Sequence, residues 1–570
     1  MLFPQTRQTH SMRTRDGVRL DADVYYPTAG PVDAESFPVL LMRQPYGRAI
    51  ASTIVYAHPR WYAAHGYIVV IQDVRGRGTS EGTFHLFAHE VEDGEDTVEW
   101  AAQLPGSDGQ VGMYGFSYQG MTQLQAAQAQ PKPLKTIAPA MTGYYLYEDW
   151  AYENGALCLQ LGLTWALQLA AETARLETAT ATHQKLVAAA HHLPLSDPVP
   201  ARPDILADVD SFFHDWVAHP HPDSYWQQLT PQLDPVDLPM LHIGGWFDPY
   251  LRGDLRLYQE MSARSSHPHP LWIGPWGHIP WGRKVGAVDF GPAAISPIDS
   301  LQIRWFDRVL KGKTWQVEDL IGGEPGVDLP VCLFEMGRNQ WRQLADWPEP
   351  LMKTYFLQSD GLANIREDSG ALVETANMLS ALNQDMIVHD PWNPAPALGG
   401  HSAIPAGVFE RTAVDSRGDV LTYTTAPLTA ELRVAGVVEV DCAIAASTPS
   451  YDLCAVLSRV RDGKVYNLTQ GYRRFDRIDQ REFAETTEQP TFSLKLHPTC
   501  FSLDPGEALR LSLSAACFPA YPVNPGTGAQ PGATRLIDAQ VITLSITTGG
   551  ANGSRLRLPV MNSSRIAQRQ

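Results

Sequence analysis

Three side chains, Ser117, Asp248 and His278, are of the types that together turn a hydroxyl into a nucleophile. A serine hydroxyl is weakly nucleophilic at neutral pH; it acts when a base takes its proton and a third group holds that base in place. Ser117 stands in Val111-Gly112-Met113-Tyr114-Gly115-Phe116-Ser117-Tyr118-Gln119-Gly120, where a short apolar run reaches a Gly-bracketed turn and then the helix-like stretch Met121 to Gln128. That is the sequence form of a serine presented on a sharp strand-to-helix turn, with Gly115 and Gly120 permitting close backbone approach. The usual spacing is Gly-x-Ser-x-Gly, and here the second glycine comes one residue later.

The other two residues follow in the order acid, then histidine, that α/β-hydrolases use, each just past a later strand. Leu238 to Gly244 reads as a buried strand and runs into Gly245-Trp246-Phe247-Asp248-Pro249-Tyr250, which puts Asp248 at a strand end as the candidate acid. The apolar run Pro270 to Ile273 leads into Gly274-Pro275-Trp276-Gly277-His278, so His278 lies on a Gly/Pro-shaped loop as the candidate base. His242 competes for that role, but its place inside an apolar strand reads as a core side chain. The pairs His219-Pro220-His221 and His267-Pro268-His269 lie beside no Cys or carboxylate cluster of ligand spacing, so both read as Pro-rich turns and no metal is expected.

Further segments carry a resemblance. Met12 to Val18 with Leu20, Arg43-Gln44-Pro45-Tyr46-Gly47, Asp73-Val74-Arg75-Gly76-Arg77-Gly78-Thr79-Ser80-Glu81-Gly82, and Glu92-Asp93-Gly94 through Trp100 are similar to segments of the CocE/NonD serine hydrolases. That family includes cocaine esterase, α-amino acid ester hydrolases and the X-prolyl dipeptidyl peptidases of family S15, and the resemblance covers most of the chain. It implies an oxyanion hole made by the Tyr46 hydroxyl and the Tyr118 N–H. A physical argument agrees: the Gly-rich donor loop of common lipases is missing here, so another donor must stabilise the oxygen that turns negative during acyl transfer.

The elements that must position these groups change character along the chain. Val39 to Arg43, Tyr67 to Asp73, Val111 to Tyr114 and Leu134 to Ala138 read as strands, with helices expected over Ile54 to Gly66 and His89 to Gln103. This βαβ rhythm predicts a mainly parallel sheet covered on both faces. Gly155 to Leu176 and Thr178 to His191 read as helices of a cap inserted before the last sheet strands. From about Leu329 onward, strand-like runs from Val331 to Met336 through Val541 to Thr547 alternate with Gly/Pro turns, predicting an all-β jelly roll, as the resemblance also implies. That region reads as scaffold. The expected fold is thus an α/β-hydrolase domain in two parts, 1–140 and 238–322, a helical cap over 141–237 and a β-sandwich over 323–570.

Composition narrows the partners. A formal charge of −18 and a pI near 5.4 argue against nucleic acid and anionic membrane, which need clustered Lys and Arg. The N-terminus lacks the charged, apolar, then small-residue progression of a secretory signal, and no uncharged apolar stretch is long enough to span a bilayer. The six cysteines are scattered in apolar runs, with Cys442 and Cys454 the pair to check for a bridge, so a cytoplasmic location is expected. Self-association into a homo-oligomer stays open.

The reading that results is acyl transfer to water on a small ester or short peptide, with no cofactor. Carboxylic ester hydrolysis comes first. X-Pro dipeptidyl-peptidase or α-amino ester activity comes second, because a free α-ammonium needs convergent carboxylates, for which Glu148, Asp149 and Glu153 are the candidates. Trp150, Tyr152 and Trp165 in the cap, with Trp246 and Phe247 beside Asp248, are the candidate substrate-pocket residues. Gly76-Arg77-Gly78 does not make a dinucleotide site, since the third glycine is displaced to Gly82 and the loop follows the wrong strand. A non-catalytic binding protein on the same fold is the alternative of another class.

Overall fold

The computed structural model describes residues 6–27, 36–49, 53–199, 204–314, 318–321, 329–348, 351–375, 382–476, 491–529, 533–550 and 552–561. Ten strands form the first sheet: β1 (Thr6–Arg13), β2 (Arg19–Tyr26), β3 (Phe37–Gln44), β4 (Ile68–Asp73), β5 (Ser107–Phe116), β6 (Leu134–Ala140), β7 (His242–Phe247), β8 (Leu271–Gly277), β9 (Val331–Glu335) and β10 (Gln340–Leu344). Their order is β1-β2-β4-β3-β5-β6-β7-β8-β9-β10. The pairings from β4 across to β9 are parallel, whereas β1, β2 and β10 are antiparallel edge additions. Parallel strands carry their C-terminal ends to one edge of a sheet, and ligands bind there.

Burial on both faces explains why the central strands read as continuous apolar runs. Along β3, Val39 and Leu41 pack into the core that holds Val98 of α2 (Glu90–Ala102) and Leu124 of α3 (Tyr118–Gln128). Leu40 and Met42 face the opposite core, against Trp305 and Phe306 of α9 (Ile298–Lys311). The expected helix over Ile54 to Gly66 shrinks to α1 (Pro59–Ala63). Pro59 sits in its first turn and excludes His58 from helical geometry, leaving His58 at φ −56° and ψ 142°.

The cap contains the antiparallel pair α4 (Leu159–Leu176) and α5 (Thr180–His191), then the short helices α6 (Phe212–Ala218) and α7 (Ser224–Leu229). The last stretch of α/β structure adds α8 (Leu251–Arg264) after β7. Among the described residues, thirteen further strands between Leu351 and Val560 form a mainly antiparallel all-β assembly, the jelly-roll domain. One expectation fails at the junction. The run Val331 to Met336 reads as the start of the all-β region, yet β9 pairs in parallel with β8 through Leu271–Val331, Trp272–Cys332 and Ile273–Leu333 and so extends the first sheet past residue 322. A single apolar strand carries no mark of which sheet it will join. The cores merge at the same place, since Trp246, Phe247 and Leu251 pack with Phe334, Val434 and Leu496.

No described helix is long and apolar enough to cross a membrane. All six cysteines are free and buried; Cys454 packs in one cluster with Cys517, whereas Cys442 lies in another core.

Candidate active site

Ser117 follows directly on β5, at φ 60° and ψ −126°, a region that side-chain-bearing residues rarely occupy. Such strain persists only where the surroundings over-determine it, and both neighbouring glycines do so. A Cβ on Gly115 would lie 2.4 Å from Cβ of Gln119, and one on Gly120 would lie 2.7 Å from Cβ of Thr142. Gln119 stands where the common elbow has its second glycine, and its Oε1 accepts from the Phe116 N–H at 3.2 Å. The late glycine therefore serves the packing of α3 against the loop after β6.

Asp248 follows directly on β7, and His278 on β8. The structure brings them together: His278 Nδ1 and Asp248 Oδ1 are 2.6 Å apart. Asp248 is fully buried, and its Oδ2 accepts from the Tyr250 N–H at 3.0 Å. A carboxylate on Nδ1 fixes the imidazole tautomer and leaves Nε2 to accept a proton. Asp254 lies nearby in the same buried region, and burial, followed by the charge of Asp248, pushes its carboxyl well above the usual range. His242 packs inside the strand layer and bonds to His269 at 3.0 Å, so it takes no part in this cluster.

Tyr46 sits two residues past β3, at the same edge of the sheet. Its hydroxyl accepts from Trp165 Nε1 at 3.1 Å, and Tyr46 and Ser117 face the same cavity. Desolvation raises the phenol, only partly offset by Trp165 and Ser117, so it stays protonated and able to donate. Tyr118 is the first residue of α3, whose N–H has no acceptor within the helix. Its ring is pinned by its hydroxyl, which donates to Glu90 Oε1 at 2.8 Å, while Glu90 Oε2 takes a 2.6 Å ion pair from the wholly buried Arg43. Sequence reasoning gave Arg43 and Glu90 no part in anchoring this turn. The available signal was a cation at the end of an otherwise apolar strand, since buried charge is rare unless paired.

Ser117, His278, Tyr46, Gln119 and Tyr250 line one cavity of about 980 Å³. Of the five expected pocket residues, Trp165 is on its wall and the other four are not. Trp150 lies behind the wall, with its ring 4.4 Å from Tyr250 and 5.5 Å from Trp165. Tyr152 donates its hydroxyl to the Trp216 carbonyl, and Trp246 Nε1 donates to the Phe334 carbonyl. Phe247 is buried in the shared core. Tyr152 and Trp246 thus satisfy their polar groups within the protein, and Trp150 and Phe247 bury their rings in its cores.

The all-β region is more than scaffold. His401, Ala403, Ile404, Pro405, Ala406 and Phe409 complete the cavity wall. His401 is buried, donates from Nε2 to Glu153 Oε2 at 2.8 Å, and stacks on His497 with ring centroids 3.9 Å apart. Glu153 also takes the Tyr521 hydroxyl at 2.6 Å and an ion pair from Arg252 at 3.0 Å. Burial alone would raise Glu153, but Arg252, His401 and Tyr521 more than offset it and hold the carboxyl well below the usual range. One buried carboxylate thus ties the cap, α8 and the all-β region together beside the cavity.

Glu153→Gln should therefore cost about 3–5 kcal/mol of stability at pH 7, because it leaves the Arg252 guanidinium without its carboxylate. A carboxyl depressed on folding stabilises fully above its unfolded value, about 4.3, and loses that contribution as pH falls toward the folded value. The gap in unfolding free energy between wild type and variant, measured by denaturant titration, should hold from pH 7 to 5 and narrow below about pH 4.

Known proteins resemble this chain along most of its length. Residues 16–280 match the family described as X-Pro dipeptidyl-peptidase (S15 family), and residues 325–556 match the X-Pro dipeptidyl-peptidase C-terminal non-catalytic domain. A cocaine esterase from Rhodococcus sp. (strain MB1 Bresler) is 31% identical over 587 residues, 96% of this chain and 97% of that protein. Two solved structures at 22% identity share the fold across 98% of this chain and 97% of theirs: an aminopeptidase from the marine sediment archaeon Thaumarchaeota archaeon, at a TM-score of 0.79, and an α-amino acid ester hydrolase, at 0.76. With strand-end Ser, Asp and His in one fold and that esterase similar along its whole length, the chain belongs to the CocE/NonD family of serine hydrolases, enzymes acting on esters or peptides.

Proposed function

We propose that the protein is a carboxylic ester hydrolase in which Ser117 is the nucleophile, His278 the base and Asp248 its orienting acid. His278 Nε2 takes the Ser117 proton as Oγ attacks the ester carbonyl. Asp248 stabilises the imidazolium that forms. The Tyr46 hydroxyl and the Tyr118 N–H receive the developing negative oxygen, which needs donors already in place before charge appears. Collapse expels the alcohol, protonated by His278, and leaves an acyl group on Ser117. A water deprotonated by the same histidine then attacks the acyl carbonyl and frees the acid.

One observation carries the choice of ester over amino-ester or X-Pro substrates. Among the described residues, the cavity lining holds no Asp or Glu, and its wall is mostly apolar, with Ile54, Phe116, Leu161, Trp165, Ile279 and Phe409 on it. Burying an α-ammonium unpaired is prohibitive. The three carboxylates considered for that task are engaged elsewhere: Glu148 and Asp149 pair with Arg256, and Glu153 with His401 and Arg252.

The test is hydrolysis of p-nitrophenyl butyrate beside glycyl-prolyl-p-nitroanilide. Rapid serine-dependent ester turnover with little anilide release is expected, and preferred release from the dipeptide anilide would overturn the ester reading. Tyr46→Phe should lower kcat on the ester about a hundredfold with KM little changed, since the donor acts mainly on the transition state. Steady-state kinetics that match wild type would remove Tyr46 from the oxyanion hole.

A further inference from the structure

A second cavity, of about 460 Å³, lies on the far side of α4. That helix partitions the two: Leu161, Thr164, Trp165 and Gln168 line the catalytic cavity, whereas Ala166, Leu169, Ala170 and Thr173 line the second. No lining residue is common to both.

Arg77 is built into the second wall, and its situation is unusual. The residue is 2% exposed, yet among the described residues no carboxylate lies within 4.0 Å of its guanidinium. Nη1 donates to Thr173 Oγ1 at 2.9 Å and to the Leu169 carbonyl at 3.3 Å, Nε is buried with no acceptor, and Cζ lies 3.8 Å over the Phe84 ring. Burial pulls this guanidinium down to about 10, which expresses the cost of holding a cation there without an anion. Its neighbour in sequence shows the contrast, since Arg75 pairs with both Asp16 and Asp93. Arginine is retained in such surroundings when its planar fork has an anion to receive.

The opposite charge is present at the rim. Glu177, Asp210 and Asp215 line the same cavity, all three exposed and none in an ion pair among the described residues. None of them acts on the Arg77 guanidinium; the one carboxylate among the described residues that does is Glu172, which pairs with Arg175. Between the buried cation and the acidic rim, Phe84, Leu86, Leu169, Phe212 and Tyr225 supply apolar wall.

We propose that this cavity binds a small zwitterion of the amino acid or dipeptide class, its carboxylate on Arg77, its side chain against the aromatic wall and its ammonium toward Asp210, Asp215 and Glu177. The site is separate from the hydrolytic cavity and does not depend on the substrate assigned there.

Isothermal titration with L-phenylalanine, which has no bond to hydrolyse, tests this on the full chain. Wild type and Ser117→Ala should bind with equal affinity. Arg77→Met should weaken binding about tenfold or more, the measure of a lost charge-assisted pair. Removing an uncompensated buried cation should leave Arg77→Met folded, with a melting temperature at or above that of wild type. Should it fail to fold, Asp210→Asn with Asp215→Asn, both at exposed positions, serves instead and should also weaken binding about tenfold. The proposal is overturned if wild type shows no saturable heat up to about 10 mM, if the variants bind like wild type, if Ser117→Ala loses binding, or if acetate or phenethylamine binds as tightly as the amino acid.

Discussion

Ser117→Ala is expected to lower ester turnover by about four to six orders of magnitude with folding intact. The substitution removes one atom, Oγ, from a residue that is 7% exposed and shares a cavity wall with Tyr46. Alanine pays the same backbone cost as serine at φ 60°, so the strained turn is retained, as are the Gly115 and Gly120 contacts that enforce it. Tyr46, Tyr118 and the cavity wall stay in place and leave a residual rate above that in water. The check is kcat/KM on p-nitrophenyl butyrate together with a thermal melt. A variant that melts like wild type and retains a tenth or more of its activity would show that another group is the nucleophile.

Asp248→Asn should cost about 10⁴-fold in kcat/KM. The amide is nearly isosteric, and its oxygen can still accept from the Tyr250 N–H, so the loop after β7 keeps its shape. What changes is the partner of His278. At 2.6 Å the carboxylate accepts the Nδ1 proton and stabilises the imidazolium. An asparagine NH₂ facing Nδ1 instead donates, places the ring proton on Nε2 and leaves nothing to accept the Ser117 proton. Labelling of Ser117 by a fluorophosphonate should slow in step with turnover, because both need the same deprotonation. A loss under about tenfold would mean that Asp248 holds structure and does not set the tautomer.

Much of the site's edge was legible because its signals are local. A buried parallel strand writes itself as an apolar run, and a strand end as a Gly- or Pro-shaped break, so Ser117, Asp248 and His278 could each be placed at a strand terminus from a dozen neighbouring residues. Pro59 sets the start of α1 and so shortens the helix expected over Ile54 to Gly66, by a rule equally local. The pocket was a different matter. Trp150, Tyr152, Trp246 and Phe247 are aromatic and near the right positions in sequence, but which way a strand or turn faces depends on what packs against it. Trp246 bonds to Phe334 and Phe247 joins the shared core because β9 and the all-β region come to lie there.

The chain by itself determined the fold class, the serine-hydrolase chemistry and the order of the chemical groups along one edge of a parallel sheet, since each follows from residue type, short-range periodicity and turn stereochemistry. Tertiary structure alone decided what encloses that edge: the stretch from His401 to Phe409 that closes the cavity, the Glu153 network that fastens it, and the isolation of Arg77 in a second cavity. The reason is physical. A side chain's propensity acts over a few residues, whereas a cavity wall and the pairing of a buried charge are set by which distant segments exclude water from the same place.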